Sequence, residues 1–172
     1  MSASVRSRRA WGWHPLTDEW AAHVVADADI CPGELVLDIG AGDGALTRHL
    51  SKAGARVVAV ELNDARAGRL RQRYPDATVV TMNALELRLP RRPFRVVANP
   101  PYAISSALVR LLLAPGSQLV AADLVLQRAV VRRHSDGRWS HHWEVRPGRM
   151  LPRRAFRPPP HVDSAVLVVR RR

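Results

Sequence analysis

An α/β fold is predicted by this sequence: a mostly parallel, seven-stranded sheet with helices on both faces. Seven short apolar or β-branched runs are present, and segments of helical periodicity separate most of them. This alternation is typical of parallel strands joined by helical crossovers. A glycine-rich turn directly after the first run supports the same fold, because such turns connect strand to helix there. The length of 172 residues suffices for one core, so we expect one domain.

The first elements carry local signals for where they begin and end. A strand over 35–39 leads into the glycine turn, and apolar residues then recur at helical spacing from Ala45. A strand over 56–60 precedes Asp64, which can cap a helix, and Pro75 ends that helix. The remaining predicted elements are helices over 64–74 and 105–113 and strands over 77–81, 94–98 and 118–126.

The last two predicted strands, 144–150 and 165–170, are separated by a proline-rich segment rather than by a helix. They can therefore pair as an antiparallel hairpin at the sheet edge. We expect the least structure in residues 1–10 and in a mobile basic loop over 132–142.

The charge of the chain indicates a polyanionic partner. Its 27 basic and 15 acidic residues give a net charge of +12, and every basic residue except Lys52 is arginine. Arginine grips phosphate bidentately and stacks on bases, which favours a nucleic acid; a general compositional bias towards arginine is the alternative. One cysteine, no metal-ligand spacing and no apolar run of membrane-spanning length predict a cytoplasmic protein without a metal site. The short chain suggests a monomer.

The glycine turn indicates a nucleotide-like ligand. Gly40 and Gly42 allow backbone N–H groups to approach a ligand closely, and Glu61, at the end of the second strand, can accept hydrogen bonds from ribose hydroxyls. Together with Ala45 these residues also satisfy a dinucleotide-binding pattern, so a nicotinamide enzyme is an alternative. Against it, the chain leaves no length for the substrate domain of a dehydrogenase.

The most specific motif is Asn99-Pro100-Pro101-Tyr102, directly after the strand over 94–98. Two prolines fix a rigid turn and remove backbone donors, so that carbonyl groups and the Asn99 amide can serve as acceptors. Two acceptors suit an amino group on a planar ring, whose nitrogen they can hold for attack on a methyl donor. Tyr102 can stack on a base taken out of its nucleic-acid stack.

With these motifs the chain resembles the ribosomal RNA adenine N6-methyltransferases, which include the Erm macrolide-resistance enzymes and the small-subunit rRNA dimethylases. The resemblance covers residues 35–169 and is carried by Leu-Asp-Ile-Gly-Ala-Gly-Asp-Gly, Val-Glu-Leu, Ala-Asn-Pro-Pro-Tyr, Leu-Val-Leu-Gln-Arg and Phe-Arg-Pro-Pro-Pro-His-Val-Asp-Ser-Ala-Val. It implies a Rossmann-like class I methyltransferase domain that uses S-adenosyl-L-methionine. The arginine-rich loop and residues 11–16 look like the mycobacterial Erm type.

The resemblance implies roles for individual residues. Asn99 and the Pro100 carbonyl would orient the adenine amine, and Tyr102 and Phe156 would bracket the base. Asp38 would lie near the methionine part of the cofactor. The full set of expected cofactor-binding residues is Leu16, Asp38, Gly40, Gly42, Glu61, Leu62, Asn83, Ala84 and Asn99.

Three features depart from the family pattern. Trp13-His14-Pro15-Leu16 stands where Gln-Asn-Phe-Leu is usual, and Asn83 replaces an aspartate near the cofactor's adenine amine, although its amide oxygen can still accept that bond.

Relatives continue into a helical domain beyond the position of Arg172. We therefore expect a basic N-terminal segment over 1–16 and a catalytic domain over 17–172, without a helical RNA-binding domain. Phosphate contacts are then expected from Arg6, Arg8, Arg9, Arg128, Arg132, Arg133, Arg138, Arg153, Arg154 and Arg157, with Trp139 and Trp143 either stacking on RNA or packing.

The resemblance implies N6-methylation of an adenine in large-subunit (23S) rRNA, in the peptidyl transferase region, and resistance to macrolides, lincosamides and streptogramin B. No DNA or membrane partner is expected. The alternatives are a small-subunit rRNA adenine dimethylase acting in ribosome assembly, a protein glutamine N5-methyltransferase, and an inactive RNA-binding module. The net charge of +12 disfavours the protein substrate.

Overall fold

The computed structural model describes residues 13–172, which contain a seven-stranded sheet flanked by helices. The strands are β1 (Leu35–Ile39), β2 (Arg56–Glu61), β3 (Thr78–Thr81), β4 (Phe94–Ala98), β5 (Leu119–Gln127), β6 (Trp143–Leu151) and β7 (Ser164–Arg171). The helices are α1 (Asp18–Ala28), α2 (Ala45–Lys52), α3 (Asp64–Arg73), α4 (Ser105–Leu112) and α5 (Arg128–His134).

The strand order is β3-β2-β1-β4-β5-β7-β6. Strands β1 to β5 pair in parallel, whereas β7 runs antiparallel between β5 and β6. The predicted α/β class, the seven strands and the antiparallel pair at the edge are therefore confirmed. The order reverses at β1 and β4, and in open sheets of this kind ligands bind beside the carboxyl ends of the strands at that point.

Alternating strand residues face two separate apolar clusters, which places helices on both faces of the sheet. Leu37 and Val96 belong to one cluster, to which α4 and α5 contribute. Their neighbours Val36 and Val97 belong to the other, to which α1 and α2 contribute. All four strand side chains are buried, and burying one such side chain stabilises a fold by about 1.5–3 kcal/mol. This packing holds the carboxyl ends of β1, β2 and β4 at one edge.

Two segments differ from the sequence-based prediction. Asp18–Ala28 forms α1, which the patterns above do not indicate. The prediction of a mobile basic loop over 132–142 is wrong in its first part, because Arg128–His134 forms α5, with Val131 and His134 buried. In this helix the apolar face packs against the sheet while the arginines point outward. The helix is therefore amphipathic, and its many arginines led to the prediction of a loop.

The segment before α1 packs against the rest of the domain. Trp13 and Leu16 are buried, and Leu16 forms a β-bridge with Phe156. The predicted division after residue 16 is therefore not a structural boundary. Arg6, Arg8 and Arg9, from which phosphate contacts were expected, lie outside the described residues. Within residues 13–172, no helix is long and apolar enough to cross a membrane.

Candidate active site

A cleft runs along the carboxyl ends of β1, β2 and β4. Its larger part is a cavity of about 420 Å³, lined among others by Glu61, Leu62, Asn83 and Ala84. A much smaller cavity adjoins it and is lined by Asp38, Leu16 and Asn99. Gly40 and Trp13 line both cavities. Apart from Gly42, which lies on the turn itself, every predicted cofactor-binding residue therefore lines one of the two cavities.

The glycine turn packs against the Asn-Pro-Pro-Tyr turn. Gly40 and Gly42 have φ values of 76° and 60°, in the left-handed region that favours glycine. A Cβ atom on Gly40 would lie 3.1 Å from Pro101 Cδ and 3.3 Å from the Pro100 Cα. Glycine at this position therefore brings the end of β1 into close contact with the turn after β4.

Glu61 ends β2 and is buried at the floor of the larger cavity. Its Oε2 accepts a hydrogen bond from the Gly42 N–H at 2.8 Å, and its Oε1 accepts one from the Asn63 N–H at 2.9 Å. Arg66 Nη1 lies 3.6 Å from Oε1. A carboxylate has about four lone-pair sites, so Glu61 retains capacity for hydroxyl donors.

Asp38 lies in the last part of β1 and is also buried. Its Oδ2 accepts a hydrogen bond from Thr47 Oγ1 at 2.6 Å. Burial raises the pKa of Asp38 to about 7, the Thr47 hydroxyl opposes this rise, and the nearby Glu61 carboxylate adds to it. The carboxyl is therefore poised to change protonation near neutral pH.

Asn83 follows β3 and lies in the larger cavity. Its side-chain oxygen already accepts a hydrogen bond from the Leu85 N–H at 3.0 Å, which caps a short 3-10 turn. An amide oxygen has two lone pairs, so a second donor such as an aromatic amine can still be accepted.

Asn99 is held by the segment before α1. Its Nδ2 donates a hydrogen bond of 2.9 Å to the His14 carbonyl oxygen. A carbonyl oxygen can only accept, so this bond fixes which end of the amide is nitrogen and leaves the amide oxygen as the free acceptor. Among residues 13–172, no donor reaches the Pro100 carbonyl. The turn therefore offers two adjacent acceptors.

Tyr102 is half-buried beside this turn. Its hydroxyl and Ser164 Oγ are 2.8 Å apart and share a hydrogen bond, and its ring lies 5.5 Å from the His14 ring. Burial raises the pKa of Tyr102, so the hydroxyl stays protonated at neutral pH.

Phe156 is buried, unlike Tyr102. Only 1% of it is exposed, and it packs in the apolar cluster that contains Leu16 and Leu151. The expected bracket of Tyr102 and Phe156 around a base is therefore not formed in this structure, because the Phe156 ring has no open face. Its β-bridge to Leu16 instead ties down the segment that reaches Asn99.

The predicted phosphate-binding arginines within residues 13–172 are all exposed and follow β5 or β6. β5 and β6 end beside Ser164, the partner of Tyr102, so the arginines that directly follow these strand ends lie at the same edge as the cleft: Arg128, Arg153, Arg154 and Arg157. Arg138 is held by Asp136 at 2.6 Å, and Arg153 lies 3.5 Å from Asp163. Of these predicted arginines, the ones that form no ion pair in the described part of the chain are Arg128, Arg132, Arg133, Arg154 and Arg157.

The two tryptophans near these arginines pack rather than face solvent. Trp143 is 4% exposed, and the Arg171 guanidinium lies 4.5 Å from its ring centroid. Trp139 stacks on the buried His134 with ring centroids 6.2 Å apart. Of the two possibilities left open by the sequence, packing is the one that the structure shows.

Two residues of the site, Thr47 and Arg66, lie outside the sequence motifs, and two more, Trp13 and Ser164, lie within motifs that assign them no contact. Thr47 bonds Asp38, Ser164 bonds Tyr102, and Arg66 and Trp13 stack on each other at the wall of the cleft. Thr47 and Arg66 lie on the helices that follow β1 and β2. Their position in the first turns of these helices, close to the strand ends, is the sequence feature that could have identified them. Ser164 could not be paired with Tyr102 from sequence, because a tertiary contact joins them.

The residues of the cleft fit S-adenosyl-L-methionine. Beside the glycine turn, Glu61 presents a buried carboxylate suited to ribose hydroxyls, and exposed Leu62 and Leu85 provide apolar walls. At the other end, Asp38 and Asn99 supply polar atoms suited to an amino acid. When bound, this cofactor supplies an electrophilic methyl group on a sulfonium.

Comparison with known proteins places the chain in a family. A family model described as ribosomal RNA adenine dimethylase matches residues 6–172. An rRNA methyltransferase of Streptomyces thermotolerans is 40% identical over 99% of this chain and 61% of its own length. Ribosomal RNA small subunit methyltransferase A of Thermosynechococcus vestitus is 35% identical over 96% of this chain and 70% of its own length.

Solved structures share the fold. The 23S rRNA methyltransferase ErmE superposes with a TM-score of 0.81 at 32% identity, covering 91% of this chain and 69% of that one. Magnesium protoporphyrin IX methyltransferase from Synechocystis, solved with bound S-adenosylmethionine, superposes with a TM-score of 0.65 at 20% identity, over 99% of this chain and 92% of that one, which shows a common fold.

The similarity covers only part of the length of these relatives. The chain spans 61% to 70% of the lengths of the two curated relatives. The predicted class I methyltransferase fold is confirmed by these comparisons. The family match agrees with the predicted enzyme class and with S-adenosyl-L-methionine as its cofactor. With the family model matching residues 6–172, the chain belongs to the ribosomal RNA adenine dimethylase family.

Proposed function

We propose that this protein methylates the N6 amine of an adenine in large-subunit (23S) rRNA and thereby confers resistance to macrolides, lincosamides and streptogramin B. The observation that carries the proposal is the pair of acceptors at the turn after β4, the Asn99 amide oxygen and the Pro100 carbonyl, beside the ring of Tyr102. The large-subunit assignment is supported by the likeness to the 23S rRNA methyltransferase ErmE.

Two acceptors match the two hydrogens of an aromatic amine. The lone pair of that amine is delocalised into the ring, so holding both N–H groups directs the nitrogen toward the methyl carbon without a strong base. Asn99 cannot rotate freely, because its Nδ2 is bonded to the His14 carbonyl. S-adenosylmethionine, when bound, would supply the methyl group, and the amine held by Asn99 and the Pro100 carbonyl would lose its proton to water.

The target base must leave its stack to reach this turn, which costs a few kcal/mol. Stacking on the half-buried Tyr102 ring would offset that cost, and the Tyr102 hydroxyl is held by Ser164. Three arginines without ion-pair partners, Arg128, Arg154 and Arg157, follow the strand ends at the same edge and can contact the flanking phosphates. Their exposure and the net charge of +12 suit an RNA partner rather than an apolar protein surface.

The test is transfer of tritiated methyl groups from S-adenosylmethionine to purified 16S and 23S rRNA and to 30S and 50S subunits. Nuclease digestion and chromatography then identify the labelled base. We expect methylated adenine in 23S rRNA and a rise in the erythromycin concentration that inhibits a host expressing the protein. The control is the Asn99→Ala variant in the same host.

A second candidate is favoured by the similarity to the small-subunit methyltransferase of Thermosynechococcus vestitus. Label confined to 16S rRNA or 30S subunits would replace the large-subunit assignment with that one. Label on a protein glutamine, or no label on any substrate, would contradict RNA methylation altogether. Labelled 23S rRNA with unchanged drug susceptibility would contradict the resistance role.

A further inference from the structure

Trp13 divides the cofactor cleft. It lines both cavities, the larger one beside Glu61 and the smaller one beside Asp38 and Asn99. A ligand that engages Glu61 at one end and Asp38 at the other must occupy the space between these cavities. The indole lies at the boundary that the two cavities share, and only 7% of Trp13 is exposed.

The indole lies directly on the glycine turn. A Cβ atom on Gly42 would lie 2.8 Å from Trp13 Cζ2 and 2.9 Å from its Nε1, closer than side chains tolerate. The turn that a nucleotide-like ligand approaches is thus covered by this protein's own side chain. Access to the Gly42 backbone requires Trp13 to move.

Arg66 holds the indole in this position. Its guanidinium carbon lies 3.8 Å from the centroid of the Trp13 ring, a distance suited to a cation–π contact. The same guanidinium lies 3.6 Å from Glu61 Oε1, and the Arg66 side chain is 16% exposed. Glu61 in turn accepts the Gly42 N–H. The contacts therefore form a closed ring of Trp13, Arg66, Glu61 and Gly42.

The backbone that follows Trp13 is held in place. From His14 onward the segment is anchored: the His14 carbonyl accepts from Asn99, the Pro15 carbonyl accepts from the Arg157 N–H at 3.0 Å, and Leu16 pairs with Phe156. Rotation of the Trp13 side chain can clear the cleft while these anchors stay in place.

We propose that Trp13 and Arg66 form a gate that divides the cofactor cleft and must open before the amino-acid half of the cofactor can enter. The gate lowers the apparent affinity for any ligand that spans both cavities, by the fraction of molecules in which it is open. A ligand confined to the larger cavity binds without this reduction. The inference rests on the use of S-adenosylmethionine and not on the identity of the RNA.

The experiment compares adenosine with S-adenosylhomocysteine, which adds the amino-acid half, by isothermal titration calorimetry. In Trp13→Ala we expect the affinity for S-adenosylhomocysteine to rise about fivefold or more relative to the affinity for adenosine. Arg66→Met keeps the aliphatic stem and removes the cation, and we expect a change in the same direction. The control is Trp20→Ala, which removes a half-buried indole on α1 and should alter neither affinity.

Fluorescence gives a second readout. The difference in emission between the parent protein and Trp13→Phe isolates Trp13, and S-adenosylhomocysteine but not adenosine should change it. Weaker binding of S-adenosylhomocysteine to Trp13→Ala, equal changes for both ligands, or no binding of S-adenosylhomocysteine to any variant would overturn the gate. Failure to methylate RNA with these binding results intact would count only against the proposed function.

Discussion

The side-chain amide of Asn99 and the backbone carbonyl of His14 are joined by a hydrogen bond of 2.9 Å that spans 85 positions of sequence. It connects the turn after β4 to the segment before α1. Because the bond occupies the amide nitrogen, the amide oxygen is left for the substrate amine. The segment over 13–16, although it departs from the usual family pattern, thus positions the central residue of the proposed reaction.

Asn99→Ala should lower the methylation rate by about 100-fold or more, the typical effect of removing one oriented polar group from an active site. Asn99→Asp should lose as much, because a carboxylate cannot donate to the His14 carbonyl. S-adenosylhomocysteine affinity should change far less than the rate. Single-turnover methylation and calorimetry measure the two effects, and Gln118→Ala, a remote exposed amide, is the control. Parallel losses of rate and affinity would contradict this role.

Ionisation of the Asp38 carboxyl should make the free energy of unfolding depend on pH. Its pKa is raised from 3.8 to about 7, so the folded state binds an extra proton between these values and loses stability as the pH rises through them. Asp38→Asn should therefore be more stable than the parent protein at pH 8, with a smaller difference at pH 5. Urea denaturation at both pH values measures this.

The matched control for that experiment is Asp136→Asn. The exposed Asp136 has its pKa lowered to about 2 by hydrogen bonds from Arg138, so its contribution is already complete at pH 5 and should not change between pH 5 and 8. An Asp38→Asn difference that is equal at both pH values would show that the carboxyl does not titrate in this range.

The ring and the hydroxyl of Tyr102 should have separable effects. Tyr102→Phe removes the bond to Ser164 and should cost about 1 kcal/mol of stability while most activity remains. Tyr102→Ala also removes the stacking surface and should lower kcat/KM for RNA by about tenfold or more. Ser164→Ala removes the same hydrogen bond from the other side. Equal activity of the Phe and Ala variants would exclude stacking.

Phe156 should behave as a core residue. Phe156→Ala should lower the free energy of unfolding by about 3–5 kcal/mol, and Phe156→Leu by less than about 1.5 kcal/mol. The Leu variant should keep its kcat/KM for RNA. A stable Phe156→Leu protein with a large loss of kcat/KM would instead support the contact with the base that the family resemblance implies. Urea denaturation and steady-state kinetics separate the two.

The unpaired arginines beside the cleft should contribute to RNA affinity by neutralising phosphates. Arg154→Glu with Arg157→Glu should weaken rRNA binding and lower the slope of log K against log salt by about 1 for each phosphate that is no longer neutralised. S-adenosylhomocysteine binding should not change. The control is Arg91→Glu with Arg92→Glu, two exposed arginines that precede β4 at the opposite edge of the sheet. Equal effects of both pairs would indicate a general charge effect.

Much of the fold was determined by local sequence. The runs that became β1 and β4 are apolar apart from Asp38 and Arg95, because most side chains on both faces of a central strand are buried, so their bounds could be read directly. The glycines before α2 and the prolines after β4 restrict the backbone by themselves, which is why the cofactor turn and the acceptor turn were recognisable. By contrast, α5 has only seven residues and its arginines face solvent. Its few apolar residues do not repeat often enough at helical spacing to predict a helix.

The partners of these motifs were decided only by tertiary structure. The sequence determined that Asn99, Glu61 and Asp38 are polar groups at the ends of strands, and hence that they meet at one edge of the sheet. It could not determine that His14 orients Asn99, that Trp13 covers Gly42, or that Phe156 packs inward, since each contact joins segments far apart in the chain. Such contacts depend on how loops pack around the folded sheet, and local sequence patterns do not predict that packing.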